Sequence, residues 1–109
     1  MTDIDLMPLT SNGSVLVISG QDKGQAMRKE YRLDTLDRAD ERVNVMVPDF
    51  VDAITPSFVL GMFGPSVRRF GSVATFLSHY NFKAKPHIIS QVQRGAAYGL
   101  VSGSALDRK

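Results

Sequence analysis

Thr55 and Ser57 stand on either side of Pro56, immediately before an apolar run that begins at Phe58. A threonine able to accept a backbone N–H, followed by proline at the first helical position, is the chemistry of a helix start. The free N–H groups and the positive end of the dipole at such a start favour a phosphate, which makes Ser57 and Thr55 candidate phosphoacceptors. Plain capping uses the same two hydroxyls equally well. Asp49 and Asp52, three positions apart just upstream, could act as an acid–base pair or hold Mg2+. Acid–base work needs two carboxylates with separated pKa values across a substrate, and Mg2+ needs further oxygen ligands or phosphates. The neighbouring sequence supplies neither. Asp49 therefore reads as an acceptor of backbone hydrogen bonds at a strand end, and Asp52 as solvated.

His79 and His87 are the only imidazoles, and the chain has no cysteine. Disulfide scaffolds, cysteine nucleophiles, thiolate zinc sites and iron–sulfur clusters are thereby excluded. Two histidines alone do not complete a metal site. Gly20-Gln21-Asp22-Lys23-Gly24 has glycine and lysine without the spacing of a phosphate-binding loop, and Gly24 is followed by Gln25. No metal, cofactor or catalytic set is expected, and the chain reads as a non-enzyme.

The 109 residues carry a formal charge of +2, unevenly spread. Residues 1–52 hold ten acidic and six basic side chains, whereas residues 53–109 hold seven basic and one acidic. Arg68, Arg69, Lys83, Lys85 and Arg94 fall in a stretch, from Ala53 to Leu106, that has no carboxylate. Gathered on one face, they would suit an acidic protein surface or nucleic-acid phosphates, with Tyr80 or Phe82 stacking on bases if exposed and not part of the core. Mixed with the acidic half on folding, they form an ordinary solvated surface.

Positioning these groups requires a core, and 43% hydrophobic against 22% charged residues is the balance of a folded soluble domain. The start, Met-Thr-Asp-Ile-Asp, lacks the basic flank and apolar region of a signal peptide, and Val15–Ile18 is too short to span a bilayer. A cytoplasmic protein with no membrane partner is expected. Ile4, Leu6 and Leu9 suggest a first strand, Thr10 to Gly13 a hairpin turn, and Ser14 to Ser19 a second strand. Ala26 to Arg42 has an imperfect helical spacing. Val43–Val47 predicts an interior strand closed by Pro48. Thr55 to Gly71 predicts a helix interrupted at Gly64-Pro65. Residues 72–82 fit both periods, and their β-branched and aromatic content favours a strand. Pro86 opens a last helix that Gly99 ends, before a polar tail over 102–109. The expectation is one α/β domain over 1–101, with a mixed four-stranded sheet, an N-terminal hairpin and about three helices. The hairpin edge could support a homodimer.

The segment Val45-Met46-Val47-Pro48-Asp49-Phe50-Val51-Asp52-Ala53-Ile54-Thr55-Pro56-Ser57-Phe58 resembles the signature of the STAS-like domain family: a strand ending in Asp-Phe, a short hydrophobic loop, and a Ser-Phe pair opening a helix. The likeness extends along the element order from about Gly13 to Gly99, and to the fold of sulfate-transporter and anti-sigma-factor-antagonist domains. It implies that Asp49 is the acidic residue after the central strand and that Ser57 lies near the antagonists' phosphoacceptor. Pro56 and Phe58 depart from the antagonists' Asp-Ser-Ser/Thr-Gly sequence, and Gly20–Arg28 departs from the basic serine-arginine start of many members. The implied function is regulatory protein–protein interaction without chemistry, with a kinase-like or anti-sigma-type partner in a bacterium or phage. Asp49, Asp52, Thr55 and Ser57 would make the contact, with Phe58 as anchor if its ring is exposed and with Arg68 and Arg69 steering an acidic surface. The alternative is a nucleic-acid-associated accessory protein of a phage or mobile element, using Arg68, Arg69, Lys83, Lys85 and Arg94.

Overall fold

A computed structural model describes residues 2–11 and 13–107, with side chains described as far as Val101. Among the described residues five strands form: β1 (Thr2–Asp5), β2 (Val17–Ile18), β3 (Val43–Met46), β4 (Ala53–Ile54) and β5 (Tyr80–Lys83). Five helices accompany them: α1 (Gln21–Glu30), α2 (Leu33–Arg38), α3 (Pro56–Phe70), α4 (Val73–His79) and α5 (Pro86–Asp107). The strands make two parallel sheets, one in the order β1-β3-β5 and the other the pair β2–β4.

Alternation decides which face of the larger sheet is covered. Val43, Tyr80, Ile4, Val45 and Phe82 are buried on one side, while Asp3, Asn44, Asn81, Asp5, Met46 and Lys83 lie on the other. Crossovers of one hand that advance one strand at a time in the same direction place all their helices on the same face. Phe63 of α3 anchors that packing, its ring edge-on to Phe76, Tyr80 and Phe82 with centroids 5.6, 5.7 and 5.2 Å away. Close helix approach depends on missing side chains. A Cβ on Gly61 of α3 would stand 2.1 Å from the Gln21 carbonyl oxygen, and one on Gly95 of α5 would stand 2.7 Å from Val59 Cβ.

The fold departs from the expected four-stranded mixed sheet with about three helices: it has two sheets, every pairing in them parallel, and five helices. No N-terminal hairpin joins β1 to β2, because β1 pairs with β3 and β2 with β4. The intervening chain instead winds into a 3-10 turn over Met7–Thr10, begun by Pro8 and held by the buried Thr10 hydroxyl on the Met7 carbonyl at 2.6 Å. Ser11 and Gly13 carry positive φ, while Asn12 of the expected turn lies outside the described residues. The strand expected over Ser14–Ser19 is reduced to Val17–Ile18.

Residues 73–79 are helical, and the strand expected over 72–82 survives only as Tyr80–Lys83. Ser72 decides this, since its Oγ accepts the Thr75 N–H at 3.1 Å and starts a turn that buries Phe76. The helix expected to run unbroken to Arg42 divides at Arg32, which adopts left-handed φ and ψ of 55° and 52°. Conversely, α3 runs through Gly64-Pro65, gripped on both sides by α1 and α5 against a local proline cost of about 3 kcal/mol. Gly99 does not end α5, which continues to Asp107; a Cβ there would lie 3.0 Å from Leu60 Cδ2, so this glycine serves helix contact and not termination. The expected interior strand Val43–Val47 is present as Val43–Met46, between β1 and β5.

Candidate functional site

The chain that follows β3 is fastened on three sides. Val47 N–H donates to the Lys83 carbonyl at 3.1 Å, and Val51 N–H closes a turn onto the Pro48 carbonyl at 3.1 Å. Asp52 and Thr55 N–H donate to the carbonyls of Leu16 and Ile18 at 2.7 and 3.0 Å, so β2 holds the connection from below. From α5, His87 Nε2 donates to the Asp52 carbonyl at 2.9 Å, and Gln91 Oε1 accepts the Ile54 N–H at 2.8 Å. Val51 and Ile54 point into the core, which leaves Asp49, Phe50 and Asp52 outward.

At the start of α3, Thr55 Oγ1 accepts the Phe58 N–H at 3.4 Å, and the exposed Ser57 Oγ lies 3.0 Å from the Thr55 hydroxyl. Thr55 is thus the cap and Ser57 the accessible hydroxyl. Phe58, expected as an interface anchor, is only 1% exposed. Four positions before Met62 on α3, it belongs to the same buried stripe and cannot touch a partner.

Exposed apolar side chains gather around this rim. Leu16 and Val17 are each 44% exposed, Phe50 is 38% exposed, and the Phe50 ring lies beside Gly13. Met7 and Met46 border an adjoining depression of about 750 Å3 that also takes in Asp49, Lys83 and Lys85. Val17 is in register with Ala53 on the outer strand of the two-stranded sheet.

Of the two readings of the five cations, gathered on one face or mixed with the acidic half, the structure has them dispersed. Lys83 and Lys85 lie beside Asp49 at the rim. Arg68 lines a different cleft of about 1120 Å3, between α1, α3 and α5, together with Arg28, Arg32 and Tyr98. Arg69 Nε pairs with Asp37 at 3.3 Å, and Arg94 lies exposed midway along α5. Arg68 and Arg69 stand about 18 Å along the axis of α3 from its start.

A buried polar network at the opposite end of the sheet was not foreseen. Asp37 accepts hydrogen bonds from Ser66 Oγ at 2.7 Å and Tyr80 Oη at 2.5 Å on Oδ1, and from Arg28 Nη2 at 3.0 Å on Oδ2. Arg28 also donates to the Met62 carbonyl at 2.9 Å, Ser66 at 2.8 Å and Asp34 at 2.6 Å. Burial first, then the Asp37 carboxylate, raises the Tyr80 hydroxyl far above its ordinary pKa, while the Arg28 hydrogen bond lowers that of Asp34. Every described buried side-chain polar atom has a partner. The sequence signals were faint: Arg28 one turn beyond Gly24, and Ser66 in an otherwise apolar face.

Comparisons with protein-family models, curated proteins and solved structures give no match to this chain. The remaining chemistry must be read from the residues themselves. His79 Nε2 donates to the Leu36 carbonyl at 2.8 Å and its ring lies 4.9 Å from Phe70, so both histidines are occupied with backbone carbonyls. Among the described residues, no three of His, Asp and Glu converge where a metal ion could be held. No described helix is long and apolar enough to cross a membrane.

Proposed function

We propose that the chain is a non-enzymatic protein-interaction domain whose contact surface is the rim formed by Leu16, Val17, Asp49, Phe50, Asp52 and Ser57. One observation carries this reading: of the seven large apolar side chains exposed among the described residues, five lie at or beside this rim. Exposed apolar groups concentrated in one place and edged by charge mark a surface that another molecule covers. A fastened rim also suits recognition, because little conformational entropy is left to lose on binding.

The resemblance of residues 45–58 to the STAS-like signature supports a regulatory role and a kinase-like or anti-sigma-type partner in the cytoplasm. The rim's own charges are mixed, Asp49 and Asp52 beside Lys83 and Lys85, so the partner is selected by apolar fit more than by an acidic surface. The test is capture of binding proteins from the source organism on immobilised wild type and on Leu16→Asp, Phe50→Asp and Arg94→Glu variants. A protein retained at high salt by wild type and Arg94→Glu, and lost from both rim variants, is the expected result. Capture unaffected by the rim variants, or bound nucleic acid eluted by salt and lost on Arg94→Glu, overturns the reading.

A further inference from the structure

Parallel sheets are almost always covered on both faces. In this molecule the helices occupy one face of the β1-β3-β5 sheet, and the other presents two rows of side chains in register, Asp3–Asn44–Asn81 and Asp5–Met46–Lys83. Asp3, Asp5, Met46 and Lys83 are exposed on it. A ladder of amides crosses the first row: Asn81 Nδ2 donates to Asn44 Oδ1 at 3.1 Å, and Asn44 Nδ2 donates to Asp3 Oδ1 at 3.0 Å. The face therefore has a direction, with carboxylates along β1 and the cation of Lys83, followed by Lys85, along β5.

We propose that this bare face is an interface between two copies of the chain, related by a two-fold axis that runs along β3. Such an axis lays β1 of one copy over β5 of the other at the same height. Asp5 then meets Lys83 of the second copy, Asp3 meets the Asn81 amide, and Met46 at the centre meets Met46. The pattern is its own complement, as a closed two-fold interface requires. The other in-plane two-fold, across the strands, would set β1 on β1 and oppose Asp to Asp and Lys to Lys. Charge thus selects one of the two arrangements. The face measures only about 10 Å between its outer strands and about 13 Å along them, well short of the roughly 800 Å2 per partner of a stable complex. The dimer is accordingly weak, formed at high concentration and dissolved by salt. It does not use Leu16, Val17 or Phe50, although Met46, Lys83 and Lys85 border both surfaces, so Leu16→Asp and Phe50→Asp should leave self-association unchanged.

Sedimentation of the full chain over a concentration series, at low and high salt, tests the proposal. At low salt the mass should rise toward twice 12.0 kDa. Lys83→Asp with Lys85→Asp, or Asp3→Lys with Asp5→Lys, should each weaken self-association by about tenfold or more. Mixing the two charge-reversed proteins should restore association between them. Circular dichroism verifies their folding, and Asn81→Asp, which faces Asp3 of the second copy, is the milder substitute. A monomer throughout the series, association indifferent to the charge reversals, or failure of the mixture to associate overturns the proposal.

Discussion

Where the strands of the larger sheet begin, Asp37 is buried and engaged by four side chains, Arg28, Ser66, Arg69 and Tyr80. Where those strands end, Asp49 and Asp52 stand in solvent near Leu16, Val17 and Phe50, which are themselves exposed. The same residue type answers opposite demands at the two ends. At the first, the buried polar groups around Asp37 saturate one another. At the second, the backbone is satisfied by β2 and α5 while the side chains remain unused. A carboxylate's burial and partners therefore separate a structural acid from one left in solvent, where its neighbours in sequence do not.

The sharpest way to break this contrast is to remove one carboxylate from each end. Asp37→Ala leaves the Arg28 guanidinium, with only 10% of its side chain exposed, with Asp34 as its one remaining carboxylate. Breaking a buried pair in this way costs about 3–5 kcal/mol. For a domain of this size that lowers Tm by more than about 12 °C. Asp52→Ala should stay within about 0.5 kcal/mol, as exposed substitutions generally do. Urea denaturation of the two variants decides it, and equal losses would erase the distinction.

Tyr80→Phe probes the same network more gently. It strips one of the two donors from Asp37 Oδ1 and should cost about 1.5–3 kcal/mol. It also has a pH signature. Burial and Asp37 raise the Tyr80 pKa, so the folded chain keeps this proton where the unfolded chain loses it, around the ordinary tyrosine value of 10.0. The stabilisation is complete below that pH and declines as pH rises beyond it. Tyr31, raised in the same direction by burial and by Asp5, contributes a slope of the same sign. The urea midpoint of wild type should fall between pH 9 and pH 11, and that of Tyr80→Phe should fall less steeply.

The end at which we propose recognition was the more legible in the sequence. Strand alternation from Val43 to Met46, the stop at Pro48 and the Thr55-Pro56-Ser57 helix start are local signals, and each acts where it is written. The buried network was hidden because its hydrogen bonds join residues 6 to 43 positions apart, and only tertiary packing brings them together. Local signals also misled where packing outweighed them. Gly99 reads as a helix stop but is a contact with Leu60, and the Thr10–Gly13 turn residues join no antiparallel pair because β1 finds β3 instead. Phe58, an anchor only were its ring exposed, is buried for a simpler reason: a residue at the first turn of a helix is exposed only if its stripe is, and this stripe continues into Met62.

The smallest effects fall on Ser57, and they refine the recognition end. Thr55→Ala removes the cap and should cost about 1 kcal/mol, whereas Ser57→Ala, at an exposed hydroxyl, should change stability by less than about 0.5 kcal/mol. Ser57→Asp places a negative charge in the first turn of α3, where the dipole stabilises it by about 0.3–1 kcal/mol at low salt. The fold thus accepts a charge at this position, and thermal melting should show a small rise that salt removes. Binding should move the other way. A third carboxylate beside Asp49 and Asp52 raises the negative potential that an apolar partner must cover, so capture should weaken with Ser57→Asp and persist with Ser57→Ala. If both variants capture equally well, Ser57 lies outside the contact, and the surface contracts to Leu16, Val17 and Phe50.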